Sequence, residues 1–190
     1  MKYIIVTQTY PPRIGGMQNV MASISERLAS IEDTHVFPDH FLSKKNNFSN
    51  SQLQIHNNFS PKLLRPFIKK YLIDKVYKDN DVVICDSWKS INAVPSKIKK
   101  IFVLAHGQEF LSTNKKFGLI KKSLDRASCI ICSSNYTENL IKEFKVTDTK
   151  KIVIPPTYSI EIPPKSRTKL KKNSKLVSLL TISRLEERKG

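Results

Sequence analysis

The chain has 190 residues, enough for one compact core and too few for two full-sized ones. Apolar residues make up 39% of it, with nine Phe, six Tyr and one Trp, which argues against a wholly disordered basic tail. Thirty-three Lys and Arg against 16 Asp and Glu leave a net charge of +17, which predicts attraction to a polyanion: nucleic acid, an anionic membrane surface or a phosphorylated substrate. Three cysteines do not make a disulfide framework and point to a reducing, cytosolic compartment. No apolar run approaches the roughly 18 residues a spanning helix needs, and the first eight residues are too short an apolar run for a secretory signal.

Apolar runs recur at residues 2–7, 34–37, 81–85, 100–105, 129–133 and 151–154. They are rich in Ile and Val without polar alternation, the pattern of strands buried on both faces. Helical periodicity separates them. Met17, Val20, Met21, Ile24 and Leu28 form one stripe over residues 16–30. Similar patterns cover 61–78, 115–126 and 135–145, the last with Asn135 and Glu138 spaced as a capping box. The alternation predicts an α/β fold, a parallel sheet with helices on both faces. Residues 39–60 are rich in Asn and Ser and read as loop with room for one short strand.

Residues 155–175 hold many prolines and basic side chains and suit an extended linker. The next run, Leu176-Val177-Ser178-Leu179-Leu180-Thr181-Ile182, is again of buried-strand type. A lone strand beyond a linker lacks a sheet, so the expected organisation is a domain over 1–155, a linker over 156–175, and at 176–190 the start of a second domain of a longer protein.

Two motifs follow strands directly, at the edge where open α/β sheets bind ligands. The loop Thr9-Tyr10-Pro11-Pro12-Arg13-Ile14-Gly15-Gly16-Met17-Gln18 opens the first helix. Its paired glycines allow close backbone approach, and a helix N-terminus offers free N–H groups to a phosphate; a tight turn needs glycine equally well. The dinucleotide-binding glycine fingerprint is absent, which disfavours a dehydrogenase. Leu104-Ala105-His106-Gly107-Gln108-Glu109 places His106 at the same edge, where a neutral imidazole can bond a substrate. Arg184 and Lys189 follow the last run and pair a fork-like donor with a point charge, suited to an anion or to a solvated basic turn.

Other spacings carry less. Asp79-Asn80-Asp81 precedes its strand and so lies at the opposite edge, as a turn. Cys129 and Cys132 have metal or redox spacing, but without a second pair they read as two buried thiols. His35, His40 and His56 receive no role. Residues 61–78 join six basic residues to a long apolar stripe; one face must cover the sheet, and any exposed remainder would dock on an anionic membrane. No stacking platform or recognition helix supports nucleic acid as the partner.

The runs 10–18, Ala105-His106-Gly107-Gln108-Glu109, Ser133-Ser134-Asn135-Tyr136-Thr137 and Ser183-Arg184-Leu185-Glu186-Glu187-Arg188-Lys189-Gly190 occur in the order of the retaining GT-B glycosyltransferases of family 4. The sequence resembles the N-terminal half of phosphatidylinositol mannosyltransferases and related enzymes acting on lipid or polysaccharide precursors. Ile154-Pro155-Pro156-Thr157 departs from the family's Ile-Pro-Asn-Gly stretch. The resemblance implies two Rossmann-like domains facing a cleft. Gly15 and Gly16 would lie against the donor diphosphate, His106 would act on the transferred sugar as the catalytic contact, and Arg184 and Lys189 would neutralise the leaving diphosphate without a metal or other cofactor. Tyr10, Arg13, Gln18 and Arg65 are the acceptor-side candidates. The family's Glu-rich donor motif would lie beyond Gly190, so the isolated chain is expected to be inactive.

The resulting expectation is a cytoplasmic hexosyltransferase, peripheral on the inner face of the membrane where it meets lipid. Its partners are a nucleotide diphosphate sugar and a lipid-linked or polysaccharide acceptor, not nucleic acid. The alternative is a non-enzymatic polyanion- or membrane-binding module, which the charge alone would suit.

Overall fold

A computed structural model of the chain describes residues 1–39, 51–58, 60–111, 116–146 and 148–156, all within the unit Met1–Ser159. The expected linker beyond Pro156 and the run at 176–190, with Arg184 and Lys189, lie outside the described residues.

Seven strands form one parallel sheet: β1 (Tyr3–Thr7), β2 (Thr34–Pro38), β3 (Leu53–Ile55), β4 (Val82–Cys85), β5 (Ile101–Ala105), β6 (Cys129–Cys132) and β7 (Lys150–Val153). Their order is β3-β2-β1-β4-β5-β6-β7. Six match the apolar runs of the sequence; the seventh, β3, is the short strand for which the Asn- and Ser-rich segment left room. It pairs with β2 through Thr34 with Leu53 and Val36 with Ile55, and only Leu53 of its three residues is fully buried.

Successive residues of a strand point to opposite faces, and β1 shows it. Ile4 and Val6 join the core under one face and Ile5 the core under the other. Helix α1 (Gly16–Ala29) covers the Ile5 face with Met21 and Ala29, packed with Val36 and Leu104. Helices α2 (Arg65–Val76), α3 (Phe117–Leu124) and α4 (Asn135–Lys142) cover the other through Ile73, Ile120, Leu124 and Ile141, with Ile91 of a 3-10 turn at Ser90–Ala93. This is the right-handed crossover rule at work: the order runs one way from β1 to β3 and the other way from β4 to β7, so the crossovers change face at β1. The fold is Rossmann-like and doubly wound.

Helix α4 starts differently from the capping box expected at Asn135 and Glu138. Its N-cap is Ser134, whose side chain accepts from the Thr137 backbone N–H at 3.2 Å. The residue ahead of the helix, already extended, has the geometry to reach that orphan donor.

Candidate functional site

Between β1 and β4 the strand order reverses, the point at whose carboxyl edge open α/β sheets bind ligands. Asp86, the residue after β4, ties the loops that follow these two strands together and has no exposed surface. Its carboxylate accepts from Thr7 Oγ1 (2.8 Å), Gln8 N (2.7 Å), Ser90 Oγ (2.5 Å) and Ser87 Oγ (3.2 Å). A buried carboxylate is tolerable only when surrounded by donors in this way. Thr9 Oγ1, in the loop after β1, is buried without a hydrogen-bond partner among the described residues.

His106 follows β5, half-buried, at the same carboxyl edge. Its Nε2 lies 3.1 Å from the Asp86 carbonyl oxygen. A carbonyl only accepts, so Nε2 carries the ring proton and Nδ1 is the acceptor. Burial pushes the imidazole below its ordinary value of 6.5, against a weaker opposite pull from Asp86, so the ring is neutral at neutral pH. The His106 backbone N–H donates to Glu109 Oε1 at 3.2 Å. Burial raises the Glu109 carboxyl to about 7, more than that hydrogen bond lowers it. Gly107 makes the turn between them possible: its φ of 95° is a region L side chains avoid, and a Cβ there would stand 3.0 Å from Thr137 Oγ1.

The paired glycines sit where β1 gives way to α1. The N-cap of α1 is Gly15, which has no side chain to bond the first turn, and no acidic residue stands in that turn. A Cβ on Gly16 would meet nothing within 4 Å. At Gly15 it would lie 2.3 Å from Gln18 Oε1, because the Gln18 side chain folds back over this residue.

The remaining expected site residues divide. Arg13 is exposed beside the glycines. Arg65 is half-buried at the start of α2, where Nε donates to the Ser60 carbonyl at 3.1 Å. Tyr10 is a correction: it has no exposed surface and its hydroxyl is bonded to Ser25, within the core under α1. Burial pushes it up to about 12. An aromatic ring in the loop was read as a ligand contact; the structure makes it the loop's anchor.

Lys69 was not singled out by the sequence. It is 2% exposed, donates to the Thr7 carbonyl at 3.0 Å and is paired with Asp39, so α2 is tied to the end of β1 through a buried ammonium. A lysine in a basic helix gives no signal of this. Asp86 was missed likewise, for its role depends on donors from residues about 79 positions away.

The turn at Asp79–Asp81 lies at the opposite edge as expected, Asp81 accepting from the backbone N–H groups of Lys2 and Lys78, each at 2.8 Å. Cys129 and Cys132 are buried free thiols, as is Cys85. Among the described residues no cluster of His, Cys, Asp and Glu could hold a metal ion, and no helix is long and apolar enough to cross a membrane. An apolar groove of about 520 Å³ opens beside His106, between Val20 and Ile24 of α1 and the side chains of Ile84, Leu104 and Ile131. It exists because every crossover from β4 outward runs over the other face.

No protein-family model matches the chain, and no curated protein matches it. Solved structures do. It is similar to Anabaena Alr3699/HepE in complex with UDP, with a TM-score of 0.58, 14% identity, and coverage of 83% of this chain and 44% of that one. What the chain shares with it is the Rossmann-like, doubly wound α/β fold. A structure described as trehalose-6-phosphate from E. coli bound with UDP-2-fluoro glucose matches with a TM-score of 0.54, 8% identity and coverage of 82% and 49%. An apo structure of OtsA matches with a TM-score of 0.52, 10% identity and the same two coverages, 82% and 49%. The chain thus spans a little under half the length of these structures.

Proposed function

We propose that this chain is the acceptor-side half of a retaining GT-B glycosyltransferase that moves a hexose from a nucleotide diphosphate sugar to a lipid-linked or polysaccharide acceptor, in the cytoplasm. The observation that carries the reading is a neutral His106 of defined tautomer after β5, at the same carboxyl edge as the turn Gly15–Gly16 that opens α1 after β1. Support comes from structures of the same fold that hold UDP or UDP-2-fluoro glucose.

In this reading the α1 N–H groups face the donor diphosphate, which comes close because Gly16 has no Cβ. His106 Nδ1 accepts from a sugar hydroxyl and steadies the positive charge that grows on the ring as the bond to the leaving diphosphate breaks. Arg184 and Lys189 take up the charge on that diphosphate, in place of a metal. Arg13, Gln18 and Arg65 flank the acceptor's approach.

The test uses the whole protein. His106→Ala should lower sugar transfer by on the order of 10²- to 10³-fold while nucleotide affinity changes little, because the contact acts as charge develops. Lys189→Ala should weaken nucleotide binding as well, since the phosphate charge is present before reaction. Calorimetric titration with UDP beside a transfer assay reads both, and equal, large affinity losses in the two variants would overturn the catalytic role of His106.

A further inference from the structure

Asp86 stands at the strand-order reversal with each of its three polar groups bonded in a different direction. Its N–H donates to the Val6 carbonyl at 3.1 Å, continuing the β1–β4 ladder by one step. Through Oδ2 its carboxylate accepts from Gln8 N and Thr7 Oγ1, and through Oδ1 from the hydroxyls of Ser87 and Ser90. Its carbonyl accepts the ring N–H of His106. These arms join the end of β1, the turn after β4 and the end of β5. With no exposed surface, Asp86 does not meet a ligand itself. Whatever it contributes to chemistry passes through the groups it holds.

A neutral imidazole carries one proton that either nitrogen can hold, and the bond made at one nitrogen sets the role of the other. The carbonyl facing Nε2 therefore decides how the ring presents itself. A peptide just past a strand end turns freely about its flanking bonds unless something pins it. Here the side chain of the same residue does so, bonded on one oxygen to the loop after β1 and on the other to the turn at Ser90–Ala93. Thr7 is itself fixed, since its carbonyl accepts from the buried Lys69 at 3.0 Å. Burying a carboxylate is unfavourable, and an apolar side chain of similar size would serve if filling the core were its whole task.

We infer that Asp86 is the positioning residue of His106: its clamped carboxylate holds its own carbonyl against Nε2 and so keeps Nδ1 as the acceptor for a ligand at this edge of the sheet. The alignment belongs to the free protein and needs no substrate. That the aligned Nδ1 then serves a transferred sugar rests on the glycosyltransferase reading.

NMR spectra of the ring nitrogens in the full chain, with isotope-labelled histidine, at neutral pH and without ligand, test it. The His106 ring proton should appear on Nε2, assigned by its loss in His106→Gln. In Asp86→Ala that proton should exchange with water at least about tenfold faster, because the peptide that holds it opens more often. Asp86→Asn should restore most of the protection, since the amide oxygen can take the Gln8 N–H while its NH2 group donates to the Ser87 and Ser90 hydroxyls. Asp81→Ala is the control: that carboxylate is also buried and also accepts backbone N–H groups, but at the opposite edge, and the His106 signal should not change. The signals of His35 and His56, paired at 2.8 Å, check that each variant is folded. If Asp86→Ala does not fold, Ser90→Ala, which removes one donor and keeps the carboxylate, should show the same acceleration on a smaller scale. In the whole protein Asp86→Ala should lower turnover roughly 10- to 100-fold with UDP affinity unchanged. A proton on Nδ1 in the parent, unchanged exchange in Asp86→Ala (or in Ser90→Ala where it stands in), or equal acceleration by Asp81→Ala would each overturn the proposal. Faster exchange with undiminished transfer would leave the positioning standing and strike only the catalytic reading of His106.

Discussion

Gly15, Gly16 and Gly107 share one edge of the sheet, yet a methyl group would act differently at each. At Gly107 it would force a φ of 95° on an L residue and press on Thr137, so Gly107→Ala should cost about 1–3 kcal/mol in chemical denaturation and displace His106. At Gly16 it would meet nothing within 4 Å among the described residues. Gly16→Ala should therefore leave stability within about 0.5 kcal/mol of the parent while UDP affinity of the whole protein falls at least about tenfold, the worth of one charge-assisted hydrogen bond to phosphate. Unchanged affinity would show that the helix N-terminus is not where the diphosphate lies. At Gly15 the nearest obstacle is the flexible end of Gln18, so the fold should absorb the change.

At the scale of elements, α2 is secured by Lys69. Lys69→Met keeps the length and apolar stem but leaves the Thr7 carbonyl without its donor and Asp39 without its cation. An unsatisfied buried acceptor costs about 2 kcal/mol, so the melting temperature should fall by roughly 4–8 °C in a protein of this size. A variant as stable as the parent would show that apolar packing alone holds the helix. The strands were legible from their Ile and Val runs because burial on both faces leaves no polar alternation to confuse with a helix. Strand β3 was less so: it is three residues long with one residue fully buried, too short to impose a pattern.

For the molecule as a whole, buried titrating groups set opposing trends with pH. His56 is lowered to about 4 and His35 is also lowered, chiefly by burial, their rings 2.8 Å apart between Nδ1 of His35 and Nε2 of His56. A depressed histidine favours folding above its unfolded value of 6.5, and that stability is lost as pH falls toward 4. Glu109, raised from 4.5 to about 7, acts the other way: its contribution is full below 4.5 and lost as pH rises through 7. Glu109 opposes the histidines over much of the same range and so lessens the rise of stability with pH between about 4.5 and 6.5. Glu109→Gln removes one side of the balance, and urea denaturation of that variant should show stability climbing more steeply between about pH 4 and 6.5. An identical slope in parent and variant would mean Glu109 titrates normally.

The sequence by itself determined the α/β class, the carboxyl-edge position of Gly16 and His106, and the opposite-edge position of Asp81, since each follows from whether a residue comes after or before a buried apolar run. Strand order was beyond it: parallel strands with similar Ile and Val content can pair in many orders, and only the packing put β1 between β2 and β4 and so placed the reversal there. The same holds for which side of α2 faces inward. Both sides are apolar enough to cover a sheet, and the decision fell to one ammonium that found a carbonyl and a carboxylate at the end of β1, leaving Phe67 in water. Tyr10 shows the limit from the other direction. A tyrosine beside two prolines and two glycines looks like a ligand contact until Ser25, fifteen residues on and one turn of α1 away from the next buried side chain, takes its hydroxyl and the core closes over the ring.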